Sequence, residues 1–150
     1  MLFQAIVLLL GICLFVVAGY GDVKTLNIPN VLVAAVAVLG FIRLIQIGDL
    51  TTALYTTGAA ALLFTVSIVL FARDIVGGGD VKLLTSAIFL IGYQDLFPFL
   101  FLMSISGLLV SILVLVIHRI RPTTTRVVPY GVAIATAGIV MLLFQPSLFG

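Results

Sequence analysis

Six apolar runs, 2–20, 28–47, 52–71, 81–93, 96–117 and 127–144, are separated only by short polar interruptions, and they constrain the fold more than any other feature of the chain. A helix rises about 1.5 Å per residue, so crossing about 30 Å of hydrocarbon takes about 20 residues. Six such runs with short loops use nearly all 150 residues. Backbone polar groups in lipid must be satisfied within the segment, which selects helices. The reading is an all-α polytopic membrane protein with six transmembrane helices, in which residues 1–150 form a single membrane-embedded domain. A chain that is 63% hydrophobic and 8% charged agrees with this and excludes an ordinary soluble domain.

The first run has the length of a span or of a signal peptide ending near Ala18. It lacks a basic n-region and five further apolar runs follow, so it reads as a helix. A polar loop is expected over 21–27. The second run opens at Pro29, tolerated in a first helical turn, and carries Arg43 near its far end, where a long side chain would snorkel toward headgroups. The fourth run has 13 residues, about 20 Å of helix, too short to cross unless the preceding loop is recessed. That loop holds Gly77, Gly78 and Gly79, which suit a tight, unhelical approach lined by protein or water. No internal repeat is evident. Cys13 is alone in an apolar run, so it can build neither an intrachain disulfide nor a Cys-rich zinc site and is expected to be buried.

Charge fixes sidedness. Lys24, Arg73, Lys82, Arg119, Arg121 and Arg126 fall on one set of alternate loops and only Arg43 on the other. By the positive-inside rule the loops after runs one, three and five are cytoplasmic and both termini lie outside, an N-out/C-out arrangement. The pI of 9.0 reflects these scattered residues, which form no dense basic tract, so membrane lipid rather than nucleic acid is the expected partner.

Asp22 and Asp80 are separated by two crossings and must therefore emerge at the same, cytoplasmic, face. An aspartate at a helix end is favourable near an N-terminus and needs no function. Two same-side acids, each beside glycine and one in a triple-glycine run before a short apolar segment, ask for more. Two carboxylates brought together in a poorly solvated site share a proton. One can then activate water while the other protonates the scissile carbonyl or leaving amine. Asp74 reads as a charge partner of Arg73 or Lys82.

Gly77-x-Gly79-Asp80, followed by Val81-Lys82-Leu83, resembles the G-x-G-D motif of the prepilin peptidase family of membrane aspartyl proteases. The resemblance extends to Asp22 with Lys24 and Ile28-Pro29-Asn30, and to a late Pro129-Tyr130-Gly131 element, so it runs from residue 22 to 131 in the family's order. It implies that Asp22 and Asp80 are the catalytic pair. It also implies that Gly77, Gly78, Gly79, Lys24, Lys82, Pro129, Tyr130 and Gly131 support the site. The implied substrate is a type IV prepilin-like precursor, with a basic leader and an apolar helix, cut at the cytoplasmic face of the plasma membrane. The small size and the Gly-Gly-Gly-Asp-Val-Lys form are most like the peptidases of Flp or tight-adherence pilus systems. Larger members carry a region with paired C-x-x-C motifs and also N-methylate the product. With one cysteine, no methyltransferase activity, metal or cofactor is expected here.

Two other classes share part of this pattern. A presenilin-like protease shares G-x-G-D but shows a P-A-L element, where this chain offers Pro129-Tyr130-Gly131. A small proton- or cation-coupled carrier or pilus-assembly subunit would use the same acids, but nearer the bilayer midplane. His118, in a basic loop, reads as a headgroup contact. Lys24 and Lys82 read as helix anchors or as residues tuning the aspartates. The Phe-rich stretch 97–101 reads as lipid-facing or packed helix.

Overall fold

The structure, a computed structural model, describes residues 2–120 and 128–144. Among them are six helices: α1 Leu2–Thr25, α2 Asn30–Ile47, α3 Leu50–Phe71, α4 Gly78–Ile91, α5 Leu96–Ile120 and α6 Tyr130–Phe144. A short 3-10 turn, Tyr93–Asp95, leads into α5. Four segments, α1, α2, α3 and Tyr93–Ile120, are long and apolar enough to cross a membrane. At 14 and 15 residues, α4 and α6 are shorter, about 21 and 22 Å by their rise. The expected sixth run began at residue 127, which lies outside the described residues, as does the basic segment 121–126.

The two short helices are the interior of the bundle. Eight residues of α4 and eight of α6 are buried, whereas α5 buries only Phe99, so the long helices form an outer layer around a central pair. α4 packs on α2, α3 and α6, and α6 on α1, α4 and α5. Composition explains the division. Gly131, Ala133, Ala135, Ala137 and Gly138 make α6 narrow, and Ser86 and Ala87 do the same for α4. In lipid, helices associate by close van der Waals packing rather than by escape from water, so small residues go to the contacts. At Gly40 of α2 an added Cβ would lie 2.6 Å from the Phe89 backbone carbon of α4. At Gly138 it would lie 2.7 Å from the Phe15 ring of α1. The outer helices turn large side chains outward, Phe97 and Phe101 among them at 80% and 66% exposure, while Phe99 points inward.

Local chemistry sets the ends. Gly48, at φ 68°, closes α2 in the left-handed region that glycine enters without penalty. Asp49 then caps α3, its carboxylate accepting from the Thr51 and Thr52 N–H groups at 3.2 and 2.8 Å and from Thr52 Oγ1 at 2.6 Å. These bonds hold the Asp49 carboxyl below its usual range, the Thr52 hydroxyl contributing most. Pro29 precedes α2 with extended backbone, and Gly92 at φ 101° ends α4.

Four expectations are corrected. The 21–27 loop is helical through Thr25, and α1 stops only where Leu26 turns to φ 51°. The stretch 21–25 contains no proline, and Thr25 Oγ1 donates back to the Gly21 carbonyl at 2.8 Å. Arg43 does not snorkel. It is 8% exposed and packs beside Gly92, at the negative end of α4 and within electrostatic reach of Asp95. Cys13 is exposed on α1, because Gly11, Phe15 and Ala18 take the inward positions of that helix. Asp74 forms no ion pair among the described residues and sits at φ 55°, a conformation Asp enters more readily than most residues, while Lys82 turns to Asn30.

Candidate active site

Asp22, Asp80 and Gly131 meet at one end of the bundle because α1 ends there while α4 and α6 begin there. Asp22 occupies the last full turn of α1 and is 5% exposed. A carboxylate at a helix C-terminus faces the wrong end of the macrodipole. Its compensation comes from α6, where the Gly131 N–H donates to Asp22 Oδ2 at 2.7 Å, the short distance expected for an ionised acceptor. The Val132 N–H donates to the Pro129 carbonyl at 3.2 Å and also faces this carboxylate. Asp22 therefore caps α6 from another helix.

Glycine at 131 is required by this contact. An added Cβ there would lie 2.7 Å from Asp22 Oδ2 and 2.8 Å from its Cγ, well inside van der Waals contact. The Pro129-Tyr130-Gly131 element is thus a seat for the first aspartate, with Pro129 ahead of the helix and Tyr130 at its first position.

Asp80 is the third residue of α4, with Gly77 at the N-cap. Its carboxylate reaches back to the Gly77 backbone N–H, as in a capping box. Only one oxygen is used that way. Oδ1 is buried with no hydrogen-bond partner among the described residues. Burial, and then the neighbouring Asp22 carboxylate, push the Asp80 carboxyl up to about 6, against the opposing pull of the Gly77 N–H. Such a group changes protonation near physiological pH and can act as an acid or a base there.

The three glycines serve this site differently from expectation. Gly78 and Gly79 lie inside the first turn of α4, and none of the three has positive φ. What they provide is closeness. A Cβ at Gly77 would lie 3.0 Å from Asp80 Oδ2, at Gly78 3.3 Å from the Phe71 ring, and at Gly79 3.3 Å from Ile28 Cβ. The Gly79 contact seats α4 against the segment that precedes Pro29. Lys82 adds a second tie, Nζ donating to Asn30 Oδ1 at 3.0 Å. So Lys82 holds α4 to the start of α2, and Asn30 is a positioning partner that the sequence showed only as part of a triplet. Lys24 is exposed at the end of α1.

A cavity of about 360 Å³ opens beside Asp80, with Tyr130, Leu84 and Ile134 in its wall. Among the described residues no group of His, Cys, Asp and Glu could hold a metal ion. The site therefore offers two neighbouring carboxylates, one of which, Asp80, lines a largely apolar space.

A family model for the type IV leader peptidase family matches residues 8–112. No curated protein and no solved structure matches the chain. The matched region contains both aspartates and the glycine run, and its long apolar helices fit an integral membrane protein. The chain belongs to the type IV leader peptidase family.

Proposed function

We propose that this chain is an aspartic endopeptidase that removes the basic leader from type IV prepilin-like precursors, with Asp22 and Asp80 as its catalytic pair. The observation carrying this reading is the approach of two carboxylates, from α1 and α4, at one end of the bundle beside a cavity. In the resting state the pair holds one proton. Asp80, whose Oδ1 has no donor among the described residues, holds it, and Asp22, seated on the Gly131 N–H of α6, is the base. Asp22 takes a proton from water as the water oxygen adds to the scissile carbonyl carbon, and Asp80 gives its proton to the carbonyl oxygen. The tetrahedral intermediate then collapses. Asp22 passes its proton to the leaving nitrogen while Asp80 takes one from a hydroxyl of the intermediate, the C–N bond breaks, and a carboxyl terminus and a free amine result with the pair back in its resting state.

The basic residues on alternate loops support an N-out/C-out bundle of six crossings with this site at the cytoplasmic face, where a leader rich in Lys or Arg would be retained. The Gly-Gly-Gly-Asp-Val-Lys form favours a precursor of the Flp or tight-adherence type. The direct test is purified protein in detergent with a synthetic precursor carrying a basic leader, a glycine and an apolar helix. Mass spectrometry should find the two fragments produced by one cut beside the leader. Intact precursor after prolonged incubation with folded protein would contradict the proposal.

A further inference from the structure

The cavity beside Asp80 has a side that the chemistry does not use. Its floor is α4 and α6 and its walls are α3 and α5, two helices that barely touch each other. The space between the walls therefore faces the surrounding lipid. On α5 the lining includes Ser104, Gly107 and Ser111, spaced three and four residues apart and so on one face of the helix. These serines are self-satisfied: Ser104 Oγ donates to the Leu100 carbonyl at 2.8 Å, and Ser111 Oγ to the Gly107 carbonyl at 2.7 Å. They present small, saturated surfaces that a helix backbone can approach without stranding a polar group. Opposite them stand Ser67 and Leu70 of α3.

Charge decides which part of a precursor fits. Among the described residues Asp80 is the only charged one in the lining, and the proposed cleavage occupies it. A basic leader would enter this space without a counter-ion, at a cost that burial of unpaired charge makes prohibitive. An apolar segment has no such penalty, and a volume of about 360 Å³ falls in the range of ligand pockets. Resting on the peptidase reading, we propose that this cavity is the subsite for the apolar helix of the precursor, which enters from the lipid between α3 and α5 and lies along Ser104, Gly107 and Ser111. The residues of the helix nearest the cut fill the cavity, and the leader stays outside it. Gly107 and Ser111 are then specificity-determining: they set the preference for a helical apolar segment after the cut.

The test compares two synthetic peptides that share a basic leader and a glycine at the cut. One continues for about 20 apolar residues, enough for a membrane-length helix, and the other stops shortly after the cut. Wild-type protein in detergent should cut the long peptide with a kcat/KM about tenfold or more above the short one. Gly107→Leu and Ser111→Leu fill the cavity from separate turns, and each should lower the long-to-short ratio of kcat/KM about tenfold, mainly through KM. Leu109→Phe, on the exposed face of α5, should leave the ratio unchanged. A Gly107→Ala change, whose Cβ would meet Ala133 at an ordinary 3.7 Å, should keep most of the preference for the long peptide. If wild-type protein cuts both peptides and neither leucine variant shifts the ratio, this subsite is wrong and the peptidase reading stands. If wild-type protein cuts neither, both fall.

Discussion

Replacing Gly131 with alanine tests the seat of Asp22 with one methyl group. The backbone at 131 has no positive φ, so alanine is compatible with the helix and any loss must come from contact. The new Cβ would stand 2.7 Å from Asp22 Oδ2, against an ordinary contact of 3.4 Å, so the carboxylate must retreat by about 0.7 Å or α6 must move. Either motion lengthens the 2.7 Å bond from the Gly131 N–H beyond good hydrogen-bond geometry. A hydrogen bond to a charged group contributes about 1.5–3 kcal/mol, and a misplacement near 1 Å can cost about a hundredfold in rate. Gly131→Ala should therefore cut about 30- to 100-fold more slowly. The matched control is Gly21→Ala, next to the same aspartate, where an added Cβ meets nothing within 4 Å and helix propensity gains by about 1 kcal/mol. The assay is initial rate on a synthetic precursor at equal concentrations of folded protein. Gly131→Ala cutting within about threefold of wild type would refute the idea that α6 positions Asp22.

Other outcomes follow from the same geometry. The Asp80 carboxyl is raised to about 6 from an ordinary 3.8, so its contribution to stability is fully present below about pH 4 and is lost as pH rises through 6. Asp80→Asn stays neutral throughout, so its melting temperature in detergent should gain on wild type between about pH 4 and pH 7; a constant gap would contradict the raised value. Gly40→Ala drives a methyl group into the α4 backbone at Phe89 and should lower the melting temperature, by an amount corresponding to about 1–3 kcal/mol, and an unchanged value would mean that α2 and α4 are not so close. For sidedness, cysteines at Leu50 and Ile75, both exposed, in a Cys13→Ser background should label from opposite faces of intact cells with an impermeant thiol reagent. Equal labelling would overturn the proposed orientation.

The helical class, the convergence of two aspartates and the late Pro-Tyr-Gly element were legible because each depends on chain order and hydropathy alone. Parity of crossings brings Asp22 and Asp80 to one end whatever the packing. Packing itself was not legible. That α4 and α6 form the interior depends on how small residues distribute between contacts, and α5 reads as equally apolar while turning almost everything outward. Arg43 misled because an arginine near the end of an apolar run has two solutions, headgroups or a buried acceptor. The acceptor, the C-terminal end of α4 with Asp95 beyond it, is distant in sequence. The glycine run misled in a similar way, since glycine marks both positive φ and close approach, and Gly78 and Gly79 are needed for the second. Asp22 read as a loop residue because polar residues in membrane proteins cluster near helix ends, and here the helix continues past them to Thr25.

The central claim is that Asp22 and Asp80 work as one catalytic unit, and the measurement that bears on it most directly is the ratio of uncut to cut precursor for single and double variants at matched protein levels. Asp22→Asn and Asp80→Asn should each abolish cleavage while the protein remains inserted, because an amide can neither hold the shared proton nor act as the base. The double variant should be no worse than either single one, the signature of groups acting together, and Asp74→Asn, exposed and outside the site, should keep substantial activity. Near-normal cleavage by the Asp80→Asn protein would contradict the account at its base.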